Sequence, residues 1–418
     1  MKTSMMKWLG LALSVLLVAG AAGAASAQEF SQPPSVSPRE FALMAWGGSP
    51  SDPYQLYWMR QAGLNISGFC SPDDLDKVNA AGLTCFVIDP LANQYEWTEM
   101  PDVKTIRGNV AALVPKVRNR PAALGFFLYD EPDAAVMPGL GQVGAALRQA
   151  MPQAWSYVNL LPDYTTPSQL GTPNYEAYLQ KFIEDVHPSI LSYDNYSLFN
   201  GEMLDRFYTN LGTVRRVSLK AGIPFWNVIL SNTHFSYMEP SDATLRLQAY
   251  STIAYGGRGI EYFTYFAPRT GNYRLAPVDQ FGHRTPTWNK LRLLNSQIRE
   301  LAPWLARLRS TGVYHSAPVP EGAKPLAESR LVEEVLASSY QSPPIEPRYF
   351  IGEFVDPDGH PFLMIVNKDL EHSIRYVIRL RQRDKRLFQI SPYTGKEEAL
   401  QGEMNWLAPG AGALFEIK

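Results

Sequence analysis

Eight apolar runs separated by helical segments constrain the fold of this chain more than any other feature of its sequence. Each run is six to nine residues long, which suits a strand buried on both faces of a parallel sheet. The runs cover residues 41–47, 65–70, 84–89, 123–131, 156–161, 190–196, 224–232 and 259–266. Strand and helix alternating eight times predict a (β/α)8 TIM barrel, an α/β fold. An open doubly wound sheet is the alternative, but no glycine-rich phosphate-binding sequence follows the first run.

The alternation stops near residue 310. Beyond it, five segments alternate apolar and polar residues as strands of an antiparallel sheet do, and DPDG at 356–359 marks a turn between the first two. The segments are 349–355, 361–367, 374–380, 387–391 and 411–417. The proline-rich region 317–347 is expected to contain the first strand of the same domain. We therefore predict a barrel over residues 28–312, followed by a small antiparallel β-sandwich over 313–418.

The first 27 residues have the layout of a secretory signal peptide. Lys2 and Lys7 precede an apolar run at 8–20, and Ala-Ser-Ala at 25–27 fits a cleavage site before Gln28. An uncleaved membrane anchor is the alternative, but the run is short and breaks into Gly and Ala. We expect a secreted or periplasmic protein with no membrane association once the signal is removed.

The net charge and the composition restrict the classes of molecule that this protein is expected to bind. The sequence has 38 Lys and Arg against 40 Asp and Glu, so it offers no basic field for nucleic acid. Aromatic residues make up 12% and charged residues only 19%, which suits an exported protein that handles neutral polar ligands such as carbohydrate. The sequence carries no signal for an oligomeric state.

Cys70 and Cys85 are the only cysteines, and export favours pairing them. The predicted strands, however, place Cys70 at the end of one strand and Cys85 at the start of the next parallel one. Opposite ends of such strands lie roughly 13 Å apart, beyond the Cα separation of roughly 7 Å that a bridge allows. We predict two free, buried thiols.

The fourth apolar run carries the first candidate catalytic group. Residues 122–132 read AALGFFLYDEP, so a buried strand ends abruptly in Asp130, Glu131 and Pro132. In parallel barrels the carboxyl ends of the strands build the active site. Aromatic neighbours would desolvate Glu131 and raise its pKa, as a general acid requires. A charge at a helix terminus or a salt bridge on the rim is the alternative role.

A second catalytic carboxylate has three candidates. Glu239 follows the seventh strand and ranks first for chain position, although a loop acid before a helix is often a first-turn charge. Asp194 ends the sixth strand and ranks second, with a buried structural acid as its alternative. Glu261 lies inside the eighth strand, roughly 13 Å below the rim at 3.3 Å per residue. We favour a buried structural role for Glu261, paired with Arg258 or Arg246.

Polar and aromatic residues at the other strand ends predict a substrate-binding mouth. Rings stack on the apolar faces of sugars, and acids supply protons and stabilise charge. The candidates are Asp130, Trp46, Asp89, Trp97, Tyr193, Asn232, His234 and Tyr265. The histidines show no metal-ligand spacing and no Cys-x-x-Cys motif occurs, so we expect no metal and no cofactor.

The sequence resembles a known family in several places. A fourth strand ending in an acid and Glu-Pro resembles the clan A glycoside hydrolases, where the glutamate is the acid/base; the resemblance assigns that role to Glu131. LYDEP at 128–132, LSYD at 191–194, IPFW at 223–226 and AYGGRGIEYFTY at 254–265 resemble a group of exported barrels distantly similar to family 42 β-galactosidases. The likeness extends into the β-domain through GEF at 352–354 and VNKD at 366–369.

The chain departs from the clan pattern at two positions. Asp130 stands where the clan has an asparagine that contacts the substrate's 2-hydroxyl, and no glutamate ends the seventh strand, where the nucleophile belongs. The resemblance thus implies the fold and a glycoside hydrolase acting on an extracellular carbohydrate, without implying the retaining mechanism. A glycan-binding barrel that has lost its nucleophile is the rival hypothesis.

Overall fold

The protein is described by a computed structural model over residues 36–97, 99–339, 341–399 and 405–418. Eight parallel strands close into a barrel in the order β1-β10-β9-β6-β5-β4-β3-β2, which confirms the predicted (β/α)8 fold. The barrel strands are β1 (Ala42–Ala45), β2 (Ile66–Cys70), β3 (Thr84–Val87), β4 (Ala123–Asp130), β5 (Trp155–Leu160), β6 (Leu191–Asp194), β9 (Phe225–Leu230) and β10 (Gly259–Phe263). A two-stranded hairpin, β7 (Leu198–Phe199) with β8 (Glu202–Met203), follows β6.

In the described part of the chain, ten α-helices surround the barrel strands or connect them. Asp52, Asp102, Asn174 and Ser241 each cap a helix by accepting a backbone N–H in its first turn, as their residue types favour. The helices are α1 (Pro53–Gln61), α2 (Leu75–Ala80), α3 (Pro90–Asn93), α4 (Val103–Val117), α5 (Met137–Ala150), α6 (Pro167–Leu170), α7 (Tyr175–Val186), α8 (Arg206–Ala221), α9 (Asp242–Ala254) and α10 (Pro286–Leu305).

Large side chains fill the barrel interior. Phe86, Tyr157 and Trp226 are almost fully buried there and pack ring against ring. Because side chains alternate along a strand, the other face of each strand packs against the helices in the main hydrophobic core. The barrel is therefore a solid core beneath its carboxyl-end mouth, and a substrate would meet only the groups at that end.

The C-terminal region forms two packed antiparallel sheets, which confirms the predicted sandwich. One sheet has the order β12-β11-β14-β15-β20-β17-β18 and the other β13-β16-β19, with a separate apolar core between them. The strands are β11 (Arg309–His315), β12 (Lys324–Pro325), β13 (Val332–Ser338), β14 (Tyr349–Val355), β15 (Pro361–Asn367), β16 (Ile374–Leu380), β17 (Leu387–Ile390), β18 (Glu397–Ala399), β19 (Asn405–Leu407) and β20 (Gly412–Ile417).

The prediction of two free thiols was wrong, because Cys70 and Cys85 form a disulfide. In β2, three residues span the distance that two span in β3, since Ile66 pairs with Thr84 and Phe69 with Phe86. The bulge draws Cys70 back along the sheet until its Cα lies 6.1 Å from that of Cys85, within disulfide range. Gly68 makes this possible: at φ +104° its absent Cβ would lie 2.3 Å from the carbonyl oxygen of Gly47.

The predicted signal peptide lies outside the described residues. Within the described ranges, none of the helices combines the length and apolar character needed to cross a bilayer.

Candidate active site

The carboxyl end of β4 turns sharply at Glu131. β4 ends at Asp130, and the next backbone N–H, that of Glu131, donates to the carbonyl oxygen of Asn159 at 2.8 Å on β5. Glu131 itself has φ +52°, a left-handed conformation that a residue with a side chain rarely adopts. Such strain typically costs about 1–3 kcal/mol and concentrates at functional sites. The turn presents two consecutive acids at the barrel mouth.

Asp194 at the end of β6 meets Glu131. The two carboxyl groups are in hydrogen-bonding contact, and Asp194 is only 4% exposed. Burial raises the pKa of Asp194 well above its usual range, and the nearby charge of Glu131 raises it further. Two carboxylates this close cannot both ionise easily, so the pair holds a proton, with Asp194 as the donor and Glu131 as the acceptor.

Asn159 connects the acids of the two strands. Its Nδ2 donates to Asp130 Oδ1 at 3.2 Å and to Asp194 Oδ1 at 3.0 Å. β5 lies between β4 and β6 in the barrel, so its carboxyl end is the natural position for a bridging donor. The result is a fixed group of three acids around one amide.

Asp130 and Glu131 are accessible to solvent but recessed within the surrounding protein. Burial raises the pKa of Asp130, and the Asn159 hydrogen bond only partly offsets that. Burial likewise raises the pKa of Glu131, the charge of Asp130 raises it further, and the hydrogen bond from Asp194 lowers it. A carboxyl group that is reachable yet keeps a raised pKa suits proton donation.

An aromatic wall stands beside these acids and consists of Trp46, Tyr196, His234, Phe263 and Tyr273. Tyr196 stacks on Phe263 with ring centroids 5.5 Å apart, and His234 stacks on Tyr273 at 4.8 Å. Trp46 meets Phe263 edge-on at 5.5 Å.

The wall adjoins the acids at Tyr196. Burial raises the pKa of Tyr196, and the charges of Asp194, Asp130 and Glu131 raise it further, so Tyr196 lies near enough to all three acids for their charges to act on it. Aromatic faces next to carboxylates are the arrangement that carbohydrate binding requires.

The carboxyl end of β9, where the clan's nucleophile would lie, holds an amide and an imidazole. Asn232 is fully buried and its Nδ2 donates to Thr264 Oγ1 at 3.4 Å. Its Oδ1 lies 3.0 Å from Nδ1 of His234, whose pKa burial lowers. Neutral His234 therefore donates from Nδ1 and offers Nε2 as an acceptor.

Glu239, the first-ranked second acid, does not join the site. Its side chain is 64% exposed and lies 3.9 Å from Nη2 of Arg274 on the loop after β10. The loop after β9 packs Tyr237 against Tyr196 and leaves both Phe235 and Glu239 exposed to solvent. Asp194, ranked second, is the acid that meets Glu131.

Glu261 is a buried structural acid, as favoured, but the expected arginine partners were wrong. Tyr157 OH donates to its Oε2 at 2.5 Å and Ser192 Oγ to its Oε1 at 2.7 Å. Arg258 instead donates to the carbonyl of Leu308, and Arg246 to that of Pro409. Glu261 faces the barrel interior, whereas both arginines point outward.

Four predicted binding residues are engaged in structural contacts. Tyr193 and Tyr265 are buried between strands and helices, and Tyr265 OH accepts from the indole of Trp288. Trp97 packs edge-on against Tyr129 in the same outer core. Asp89 caps α3 by accepting from the N–H of Leu91, a structural task.

Several site residues were missing from the sequence prediction. Asn159 and Tyr196 lie at or just beyond the carboxyl ends of strands that were predicted, so applying the strand-end rule to every strand would have found them. Tyr273 lies on the long loop after β10, and Phe263 was assigned to a strand interior although it ends β10. Only the closed fold shows that they converge.

A possible metal site lies apart from the mouth. Asp356, Asp358 and His360 on a turn of the sandwich hold ligand atoms within 4.8 Å of one another. Arg307 lies 3.3 Å from Asp358 and 3.8 Å from Asp356. Its positive charge already compensates the acids, so this turn is explained without an ion.

The comparisons with solved structures agree with this architecture. A family 5 glycoside hydrolase from Bacteroides vulgatus aligns with a TM-score of 0.53 at 11% identity, covering 90% of this chain and 89% of that one. Another structure, described as a glycoside hydrolase, aligns at 0.52 and 10% identity, covering 90% and 92%. What the chain shares with these structures is the (β/α)8 fold.

A β-galactosidase from the psychrophilic Marinomonas ef1 aligns over the barrel. The TM-score is 0.51 at 11% identity, covering 65% of this chain and 62% of that one, so the chain spans about three fifths of its length. No protein-family model and no curated sequence matches the chain. At these identities the likeness establishes the fold, and activity has to be argued from the acids.

Proposed function

We propose that this protein hydrolyses O-glycosidic bonds of an extracellular oligo- or polysaccharide, with Glu131 as the proton donor. The observation that carries the proposal is the convergence of Asp130, Glu131 and Asp194 from β4 and β6 beside an aromatic wall. Acids with raised pKa values next to stacking surfaces match the chemical needs of glycoside cleavage.

Glu131 passes its proton to the leaving-group oxygen as the bond from that oxygen to the anomeric carbon breaks. In the resting pair Asp194, buried behind Glu131, holds the shared proton, and it passes that proton on as Glu131 protonates the leaving group, at a pH where an isolated carboxyl would have ionised. Water adds to the anomeric carbon and loses a proton, which returns to the Glu131–Asp194 pair. The cycle balances without any cofactor.

Asp194 acts here as the proton partner rather than as a nucleophile. Acid pairs that flank a sugar stand about 5 Å apart in retaining enzymes and roughly 6.5–9.5 Å apart in inverting ones. Glu131 and Asp194 instead contact each other through a hydrogen bond, which is the arrangement of acids that share a proton rather than of acids that flank a sugar. Asp130 is then the remaining acid available to stabilise positive charge on the sugar.

We place this activity outside the cytoplasm. The signal-like sequence at residues 1–27 supports export, and the Cys70–Cys85 disulfide is typical of proteins that fold in oxidising compartments.

The test is turnover of a panel of aryl glycosides and of plant and microbial polysaccharides by the wild type and by Glu131→Gln. We expect the wild type to release product from at least one substrate class and the variant to lose nearly all of that activity. Glu239→Gln is a matched control, because it makes the same change on an exposed loop. Equal activity of Glu131→Gln and wild type would refute the proposal.

A non-catalytic glycan-binding barrel is the second candidate. The specific observation in its favour is the end of β9, where the Asn232–His234 pair stands in place of a carboxylate. Glycan binding of equal affinity by wild type and Glu131→Gln, with no turnover by either, would favour this candidate.

A further inference from the structure

A continuous chain of polar contacts runs from the barrel interior to the mouth. It starts at Glu261, passes through Tyr157 and Ser192, and reaches Asn159. Ser192 Oγ lies 2.7 Å from Glu261 Oε1, 2.9 Å from Tyr157 OH and 3.2 Å from Asn159 Oδ1. Asn159 in turn donates to Asp130 and Asp194. Glu261 is therefore connected to the proposed catalytic acids although it lies beneath them.

The orientation of the Asn159 amide is fixed by its neighbours. Asp130 accepts when ionised, and Oδ1 of Asp194 accepts because the proton of Asp194 lies toward Glu131, so the NH2 group has to face both acids. The amide oxygen must then face Ser192, and it needs a donor there because it is buried. Among the described residues, the Ser192 hydroxyl is the donor placed to supply that hydrogen.

The number of hydrogens available for these contacts depends on the protonation state of Glu261. If Glu261 is ionised, Tyr157 and Ser192 both donate to it, and the Asn159 oxygen is left facing a lone pair. If Glu261 is neutral, it donates to Ser192, Ser192 donates to Asn159, and Tyr157 donates to the second oxygen of Glu261. The neutral form therefore satisfies one more of the observed contacts, including the one that holds Asn159.

We propose that Glu261 is a positioning residue whose neutral form, acting through Ser192, locks Asn159 against Asp130 and Asp194. This inference rests on the proposed glycosidase function and adds a regulated element to the same site. When Glu261 ionises, Ser192 turns toward it, Asn159 loses its donor, and a negative charge appears beneath acids that must keep a proton.

Among the residues that the structure describes, few other titratable or charged groups surround Glu261. Of the described side chains in the cluster that fills the barrel interior, Tyr157 is the titratable one, and the others are apolar residues such as Met44 and Phe86. Along the chain of polar contacts, the next acids are Asp130 and Asp194 beyond Asn159. Burial raises the pKa of Glu261 to about 7, and the hydrogen bonds from Tyr157 and Ser192 act in the opposite direction. The residue thus changes state near neutral pH.

Glu261→Gln is a close mimic of the neutral form. Its amide oxygen can accept from Tyr157 while its NH2 donates to Ser192, so the chain to Asn159 stays intact at every pH. We expect the alkaline decline of kcat/KM to move to higher pH in Glu261→Gln. In the Ser192→Ala background, where the chain is cut, Glu261→Gln should no longer move the profile. A uniform loss at all pH values would indicate a merely structural acid and overturn the inference.

A stability measurement tests the buried proton independently of activity. The pKa of Glu261 is raised on folding, so wild type loses stability as pH rises from about 4.5 to about 7, whereas Glu261→Gln does not. The difference in Tm, variant minus wild type, should therefore grow across this range and level off above it. A difference that does not change with pH overturns the inference. Absence of turnover with the expected Tm curve would instead overturn the proposed function.

Discussion

The carboxyl ends of β4 and β9 are the two places where a clan A hydrolase is expected to carry its catalytic glutamates, and in this chain they differ completely. β4 ends in two acids on a strained turn, with Glu131 at φ +52° and in contact with Asp194. β9 ends in neutral groups whose hydrogen bonds are satisfied locally, with Ser231 donating to the carbonyl of Thr264 at 3.0 Å. Acid chemistry is therefore concentrated on the β4–β6 side of the mouth.

This difference indicates that the two strand ends have different roles. A strained turn with repelling acids costs stability and persists because the surrounding structure enforces it. At the end of β9 the polar groups are hydrogen-bonded to one another, which stabilises the fold and holds a neutral His234 in position. We infer that proton transfer belongs to β4 and β6, and that β9 shapes the binding surface.

The largest expected effect comes from Glu131→Gln. General acid catalysis contributes about 100- to 10,000-fold to rate, so kcat/KM on an unactivated glycoside should fall by about 1,000-fold. Steady-state kinetics should be measured for Glu131→Gln and for Asn232→Ala in parallel. If Asn232→Ala lost as much activity as Glu131→Gln, the end of β9 would be as important for catalysis as the end of β4, and the proposed difference between the two strand ends would be wrong.

Asp194→Asn should have the next largest effect. Asn159 donates to Asp194 Oδ1, so the new amide keeps oxygen there and turns its NH2 toward Glu131. Like the Asp194 hydroxyl, that donor favours ionised Glu131, but an amide cannot hand over its proton, so the pair loses the proton that it shares at higher pH. We expect kcat/KM to fall by about tenfold or more and its alkaline limb to shift to lower pH. An alkaline limb that stays in place would show that Asp194 does not share a proton with Glu131.

Glu131→Gly should abolish activity but be more stable than Glu131→Ala. Both variants lose the carboxylate and its contact with Asp194, and glycine alone adopts positive φ without strain, so its free energy of unfolding should be higher by about 1 kcal/mol. Asn232 at the other strand end has no positive φ, so Asn232→Gly should be less stable than Asn232→Ala. Urea titration of the two pairs measures this contrast, and glycine being favoured over alanine at both positions, or at neither, would contradict the prediction.

Glu239→Gln should have the smallest effect. The side chain is exposed and its contact with Arg274 at 3.9 Å is a surface ion pair, worth about 0–1 kcal/mol. We expect kcat/KM within about twofold of wild type. A large loss would return Glu239 to the list of catalytic acids.

The sequence predicted the barrel well because its strand signals are local. All eight apolar runs became barrel strands, and Asp130, Glu131 and Asp194 were placed correctly at strand ends. Strand parity could also have excluded Tyr193: Ser192 and Asp194 face inward, so the residue between them faces outward. This part of the site follows from the period of two along a strand.

The remaining errors concern relations between segments. The Cys70–Cys85 disulfide depends on a one-residue bulge in β2, which changes the register between two strands. Glu239 and Tyr273 lie on loops whose direction is set by packing with other loops. The contact of Asp194 with Glu131 depends on where β4 and β6 end relative to each other in the closed barrel. None of these features is encoded in a single segment.

The dependence of the Glu131→Gln effect on the leaving group tests the central claim most directly. A proton donor matters most when the departing oxygen is strongly basic and least when it departs as a stabilised anion. Glu131→Gln should therefore lose about 1,000-fold on an alkyl glycoside but far less on the dinitrophenyl glycoside of the same sugar. Equal losses on both substrates would contradict the assignment of Glu131 as the group that protonates the leaving oxygen.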